Sequence, residues 1–270
     1  MLMTGNSDFL AKTVARSLPA IHWRYQQVSP ESVPQLSPGT IHLWRSPLSM
    51  PRDWFAQHEF MLSSDEQERA QRFKFDHHRL RFTAARCRLR QLLAAYLAIA
   101  PEQVQFCYGS HGKPTLVPVL QSQQSALSFN LTHTDDLALY AFTLGCAIGV
   151  DIERIRPMPE GVQIAQRFFT PSESEAIAHC TSGKNDSVER DDAFFTLWTL
   201  KEAYLKAKGE GLVGLQSASL VLTSRGSNPF EGWTLQSFSP ISGYQGAIAY
   251  EGRKARIHFF DVEAAIREPD

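Results

Sequence analysis

Trp198-Thr199-Leu200-Lys201-Glu202-Ala203-Tyr204-Leu205-Lys206, read with Gly149-Val150-Asp151-Ile152-Glu153 upstream, decides how this chain is understood. The second stretch continues an apolar run, Cys146-Ala147-Ile148-Gly149-Val150, that reads as a buried strand. Side chains alternate along a strand, so Asp151 and Glu153 point to the same face. The first stretch lies in a segment carrying Phe194, Phe195, Leu197, Trp198, Leu200, Tyr204 and Leu205, which predicts a helix over 191–208. On it Trp198, Glu202 and Lys206 stack at i, i+4 and i+8. Each piece alone has a bland explanation. An Asp-x-Glu pair usually marks a solvated strand edge. A Glu-Lys pair one turn apart is usually a surface ion pair worth about 0.3–0.5 kcal/mol. Here the strand is buried and the helix is apolar most of the way round, so these charges need a partner or a site. Three converging carboxylates make a hard-cation site, and a lysine one turn on neutralises a phosphate beside it. The combination points to chemistry on a phosphoanhydride.

The chain has 270 residues, enough for one large or two modest domains, with an ordinary globular composition. Its formal net charge of -1 gives no bulk attraction to nucleic acid or to an anionic membrane, so neither is expected as a partner. Cys87, Cys107, Cys146 and Cys180 show no metal or CxxC spacing and read as reduced thiols of a cytoplasmic protein. No apolar run approaches the ~20 residues of a membrane span. Charge interrupts the start of the chain, which lacks a signal-peptide core.

Residues 1–40 read as a lead segment, loose and rich in Ser and Pro over 27–40. Residues 41–145 form an N-terminal half. Ile41-His42-Leu43-Trp44 is a first strand, and Ser63 and Glu66 stand at capping-box spacing. A long helix covers 76–99 and stops at Pro101. It carries Arg79, Arg81, Arg86, Arg88 and Arg90, most of them expected in solvent although their density also suits an anion. A Gly-rich loop, Tyr108 to Pro114, precedes strands at 128–131 and 137–144. Residues 146–270 form a C-terminal half. Thr170-Pro171-Ser172-Glu173 starts a capped helix, 184–192 reads as a polar loop, and strands follow at 219–222, 233–238, 246–250 and 256–260. The expected class is α+β: two similar halves, each an antiparallel sheet packed against a long helix.

Two further motifs suit anions. Phe129-Asn130-Leu131-Thr132-His133-Thr134 sets an imidazole and hydroxyls where a strand meets a loop. Gly112-Lys113-Pro114 is a rigid turn with one cation. In this order, with Gly149–Glu153 and Trp198-x-x-Lys201-Glu202-Ala203-x-x-Lys206, these segments resemble the 4'-phosphopantetheinyl transferases, in their surfactin-type, larger and monomeric branch. The likeness runs from about Arg69 to Leu212. Phe168-Phe169 and Gly209-Glu210-Gly211-Leu212 also look like the family.

The resemblance implies transfer of the phosphopantetheine arm of coenzyme A to a serine of an apo acyl or peptidyl carrier protein, with release of adenosine 3',5'-bisphosphate. It implies that Asp151, Glu153 and Glu202 hold Mg²⁺ and that Lys206 pairs with the pyrophosphate. Glu202, or a water it holds, takes the serine proton. His133 and Arg81 grip coenzyme A phosphates, Thr132 adds a hydroxyl, and Lys113 and Pro114 flank the adenine. Coenzyme A lies between the halves. The carrier docks near the loop after Gly112 and along 154–169, where Arg154, Arg156 and Arg167 meet an acidic helix and Phe168 and Phe169 give apolar contact. Lys201, off the Glu202–Lys206 face, and Trp198 are expected to be structural. The chain departs from the family at Glu66, where relatives often carry a cation. A coenzyme A sensor without turnover and a metal-dependent anhydride hydrolase remain alternatives. A hydrolase would act without a carrier.

Overall fold

The computed structural model describes residues 21–118, 126–180, 186–211, 214–216 and 232–263. They form two compact units, one drawn from His22–Cys146 with a strand from the chain's end, the other from Ala147–Arg253.

In the first unit the β-branched and aromatic run at Thr40–Pro47 forms β2, after a two-residue β1 at Arg24–Tyr25. Short helices α1 (Arg52–His58) and α2 (Ser64–Gln71) lead to the long α3 (Asp76–Leu97). A small hairpin pairs β3 (Phe106–Tyr108) with β4 (Pro114–Leu116), and β5 (Leu127–Thr134) pairs with β6 (Leu137–Leu144). Trp44, Tyr140 and Phe142 from the sheet pack with Ala84, Leu89 and Leu93 of α3 in one core. The helix stops earlier than Pro101 suggests, because Ala98 turns left-handed at φ 52 while its N–H still bonds to Ala94.

The second unit opens with β7 (Ile148–Arg154). Helices α4 (Gly161–Phe168), α5 (Pro171–Ala178) and α6 (Asp186–Lys208) follow, then β8 (Trp233–Phe238) and β9 (Tyr244–Glu251). The sheet has the order β7-β9-β8 and is antiparallel throughout. Ala203 and Ala207 of α6 pack on Ala247 and Ala249 of β9, and these small side chains bring the helix close to the sheet.

The α+β class stands, with three departures from the sequence reading. The final strand, β10 (Arg256–Asp261), does not extend the second unit. It lies between β1 and β2, parallel to both, so the first sheet is mixed, with order β1-β10-β2-β6-β5. Successive strands in the sequence suggested hairpins, and nothing local marks a strand that returns across the chain. Second, Arg86, Arg88 and Arg90 are buried, not solvated. Arg90 Nε donates to Glu66 Oε2 at 2.6 Å and Arg86 Nε to Glu66 Oε1 at 2.5 Å, while Arg88 pairs with Glu263. Glu66 also closes the α2 capping box through Ser63 N–H, so its charge is matched inside the unit. Third, residues 186–192 are the first turns of α6, since charged residues suit the exposed face of a helix as well as a loop. Helix α4 went unread. The strand expected at 219–222 lies outside the described residues.

Candidate active site

Alternation along β7 sets Gly149, Asp151 and Glu153 on one face, and α6 lies against that face. A Cβ added to Gly149 would collide with the Ala203 carbonyl oxygen and the Ala207 nitrogen, and would come 3.0 Å from Ala207 Cα. Glu202 and Lys206 each precede one of those alanines, so the close contact at Gly149 carries them to the strand. Lys206 Nζ donates to Asp151 Oδ1 at 2.5 Å, with the Asp151 side chain 6% exposed and that of Lys206 31%. Glu153 is half-buried at the strand end, 3.9 Å from Arg156.

Glu202 is the strained member of this group. Burial pushes its carboxyl up to about 7, Lys206 opposes that rise, and the negative charges of Asp151 and Glu153 add to it. Its Oε1 is buried without a hydrogen-bond partner. A buried carboxylate oxygen in that state calls for a proton or a cation. Among the described residues no three acidic, histidine or cysteine side chains are gathered tightly enough to form a finished cation cage. The donor chemistry nevertheless suits a hard divalent ion: the charges of Asp151 and Glu153 both act on Glu202, and the orphaned Glu202 oxygen is available to a cation.

Comparison with known proteins gives the family. The profile of the 4'-phosphopantetheinyl transferase superfamily matches residues 147–250, and that of the 4'-phosphopantetheinyl transferase N-terminal region matches 47–144. The chain is 39% identical over 215 residues to the 4'-phosphopantetheinyl transferase HetI of Nostoc, covering 78% of this chain and 88% of that one. The chain belongs to the 4'-phosphopantetheinyl transferase superfamily. It is also 30% identical over 205 residues to the transferase psf-1 of Bacillus pumilus, covering 73% of this chain and 82% of that one. With the transferase Sfp of Bacillus subtilis it shares 28% over 172 residues, 63% of this chain and 70% of that one.

Within this family member, Asp151, Glu153, Glu202 and Lys206 are brought together in the second unit. The remaining candidates belong to the first. Arg81 Nε donates to Asp136 Oδ1 at 2.8 Å, at the turn between β5 and β6. His133 is exposed, whereas Thr132 is buried at 7% exposure. Alternation along β5 therefore sets Thr132 and His133 on opposite faces. Lys113 and Pro114 follow Gly112, which turns at φ 76, and burial holds the Lys113 ammonium down at about 8.

A pocket of about 640 Å³ opens beside Gly112 and was not foreseen. Arg69, Arg72 and Arg86 line it with the rings of Phe73, Phe82 and Tyr108 and with the carboxylates of Asp65, Glu66 and Glu68. The Arg86 guanidinium donates to Tyr108 Oη at 3.2 Å, which fixes both groups at its wall. Only Arg86 of the α3 arginines lines it, and Arg69 and Arg72 come from the end of α2, so its cations are gathered from two elements that no local spacing links.

Two structural expectations hold. Trp198 packs among Phe168, Phe169 and Phe194, and Lys201 turns away from Glu202 to meet Glu173. One contact surface changes. Phe169 is 3% exposed and stacked on Phe194, so it offers nothing to a docking protein.

Replacing Gly149 by alanine forces α6 away from β7. The expected loss is about 1–3 kcal/mol, the usual cost of overpacking. It would be read as a lower urea midpoint at unchanged slope. An unchanged midpoint would show that the contact at Gly149 has slack.

Proposed function

We propose that this enzyme moves the 4'-phosphopantetheine moiety of coenzyme A to a serine of an apo acyl or peptidyl carrier protein, releasing adenosine 3',5'-bisphosphate. One observation supports the reading above the rest: in a chain of this family, Asp151, Glu153, Glu202 and Lys206 converge through the contact of α6 with β7. The carrier serine oxygen forms a bond to the phosphorus that bears the pantetheine arm. The bond from that phosphorus to the pyrophosphate bridge breaks, and adenosine 3',5'-bisphosphate departs with the electron pair. Lys206 offers a point charge to the pyrophosphate. Ionised Glu202, directly or through a water, accepts the serine proton. Asp151, Glu153 and Glu202 would hold Mg²⁺, which when bound supplies charge neutralisation for the pyrophosphate.

In the first unit, His133 and Arg81 are proposed to reach coenzyme A phosphates, with Lys113 and Pro114 beside the adenine and Thr132 in support. The pocket beside Gly112 suits this reading, since it combines arginines with aromatic rings. Both family profiles match one chain, which favours the surfactin-type branch and a monomer. No helix among the described residues is long and apolar enough to cross a membrane. The four cysteines are free thiols, which favours a cytoplasmic setting.

Incubating the protein with coenzyme A, Mg²⁺ and an apo carrier should raise the carrier's intact mass by one phosphopantetheine. Both EDTA and Glu202→Gln should abolish the gain. An unmodified carrier with coenzyme A still bound would favour the sensor, and coenzyme A cleaved without a carrier would favour the hydrolase.

The raised Glu202 pKa gives a second test. Between the ordinary value of 4.5 and about 7, folded Glu202 keeps a proton that the unfolded chain has released. The metal-free protein therefore loses stability as pH rises through that window. A cation binds only the ionised form, so Mg²⁺ should raise the thermal midpoint at pH 8 and do so progressively less below 7. Glu202→Gln should remove the pH dependence. An Mg²⁺ shift of equal size at every pH would refute the assignment of Glu202 as a ligand.

Arg154, Arg156 and Arg167 are exposed, and we assign them to meeting an acidic carrier helix. Reversing their charge should raise the KM for carrier and leave that for coenzyme A unchanged. An unaltered carrier KM would place the docking surface elsewhere.

A further inference from the structure

The ion pair between Lys201 and Glu173 is wholly buried, with both side chains 0% exposed and Nζ 2.6 Å from Oε2. Lys201 Nζ also lies over the Phe169 ring at 4.9 Å. The same Glu173 oxygen accepts the Thr170 N–H at 2.9 Å, so the cap of α5 and the side of α6 meet on one atom. Stability alone does not explain such a pair. Apolar residues of similar volume often replace a buried ion pair at no loss. What an ion pair adds is direction, since its hydrogen bonds do not tolerate the sliding and turning that an apolar contact allows.

The other side of α6 needs that direction. Its closest contact with the sheet is made by Ala203 and Ala207 against Gly149, Ala247 and Ala249, with Leu200, Tyr204, Trp233 and Leu235 packed beside them. These apolar contacts set how close the helix lies, but they tolerate sliding and leave its rotation to directional bonds. Glu202 meanwhile holds Oε1 buried without a partner, and a turn of the helix toward water would relieve it. Lys201 is the neighbour of Glu202, about 100° round a helix of 3.6 residues per turn. Pinning one therefore sets where the other points.

We infer that Lys201 and Glu173 are positioning residues, whose buried pair fixes the rotation of α6 and so presents Glu202 and Lys206 to β7. This rests on the transferase reading above. Neither residue touches the reacting atoms.

The test is the double variant Lys201→Met with Glu173→Leu, which fills the same space without charge. It should unfold cooperatively at or above the parent's midpoint. Its kcat for carrier modification should fall about 100-fold, the scale of a misplacement of roughly an ångström. Its KM for coenzyme A should change far less than kcat, since Lys206 is shared with coenzyme A binding but the contacts proposed in the first unit are untouched. The Mg²⁺-dependent rise in thermal midpoint should shrink with kcat. A folded double variant with parental kcat and a parental Mg²⁺ shift would make the pair structural only and overturn the proposal. If the double variant does not fold, Glu173→Gln keeps the shape and removes the charge. A kcat per folded molecule that falls much further than KM for coenzyme A rises then supports positioning, and a parental kcat overturns it. An inactive parent would refute the transferase reading instead, and the Mg²⁺ shift compared between parent and variant still decides the positioning claim.

Discussion

The contact of Gly149 with α6 is the constraint from which the site follows. A side chain on that strand position would hold the helix off, and Glu202 and Lys206 would stand away from Asp151. Bringing them in has an electrostatic cost. Glu202 is buried within reach of the negative charges of Asp151 and Glu153, and burial with those charges pushes its carboxyl up to about 7. The strand contributes more than two carboxylates. Its bare glycine converts a packing contact into a charged cluster poised for one more positive charge.

The two units solve a shared problem in the same way. Each has a short helix with a capping box and a long helix beside it. In α2 the capping glutamate, Glu66, accepts the Ser63 N–H at 3.1 Å and Arg90 at 2.6 Å on one oxygen. In α5 Glu173 accepts the Thr170 N–H at 2.9 Å and Lys201 at 2.6 Å, again on one oxygen. A cap glutamate is already held in place by its helix, so little further freedom is lost when a cation from the long helix joins it. The likeness of the two halves thus resides in this linkage more than in the sheets, which differ in strand number and direction. The difference in cation matters too. Arg86 and Arg90 of α3 are multiply bonded, and Arg86 walls a pocket, whereas Lys201 of α6 makes one short directional contact.

Much of the second unit was legible because its signals are local. Alternation at Asp151 and Glu153 and the i, i+4 spacing of Glu202 and Lys206 each lie within one element, and the apolar runs around them fixed the faces. The capping boxes at Ser63 and Thr170 were equally local. What escaped reading depends on residues far apart. Arg86 and Arg90 look like solvent-facing charges until Glu66, some 20 positions earlier, is brought beside them. The β10 strand carries no mark that it runs parallel between β1 and β2. Thr132 and His133 illustrate a subtler loss. Adjacent in a motif, they suggest one shared site, yet strand alternation sends one inward and the other out.

Lys206 shows why the cluster and its missing positive charge belong to one argument. It lies on Asp151 at 2.5 Å, so a phosphate that needs this lysine competes with a carboxylate for it. That competition favours Asp151 while the site carries excess negative charge. A divalent ion held by the carboxylates would weaken the attraction of Asp151 for Lys206 and leave the ammonium able to meet a pyrophosphate oxygen. Coenzyme A and the cation should therefore bind each other's form of the protein more tightly than either binds alone, because each removes charge that opposes the other. The same reasoning explains why Glu202 is buried at all. An exposed carboxylate would stay ionised without help, and the site would hold Lys206 on its own acids. A buried one holds its proton up to about pH 7, and a cation bound there would favour the ionised form, which would tie the supply of a base to the presence of the metal.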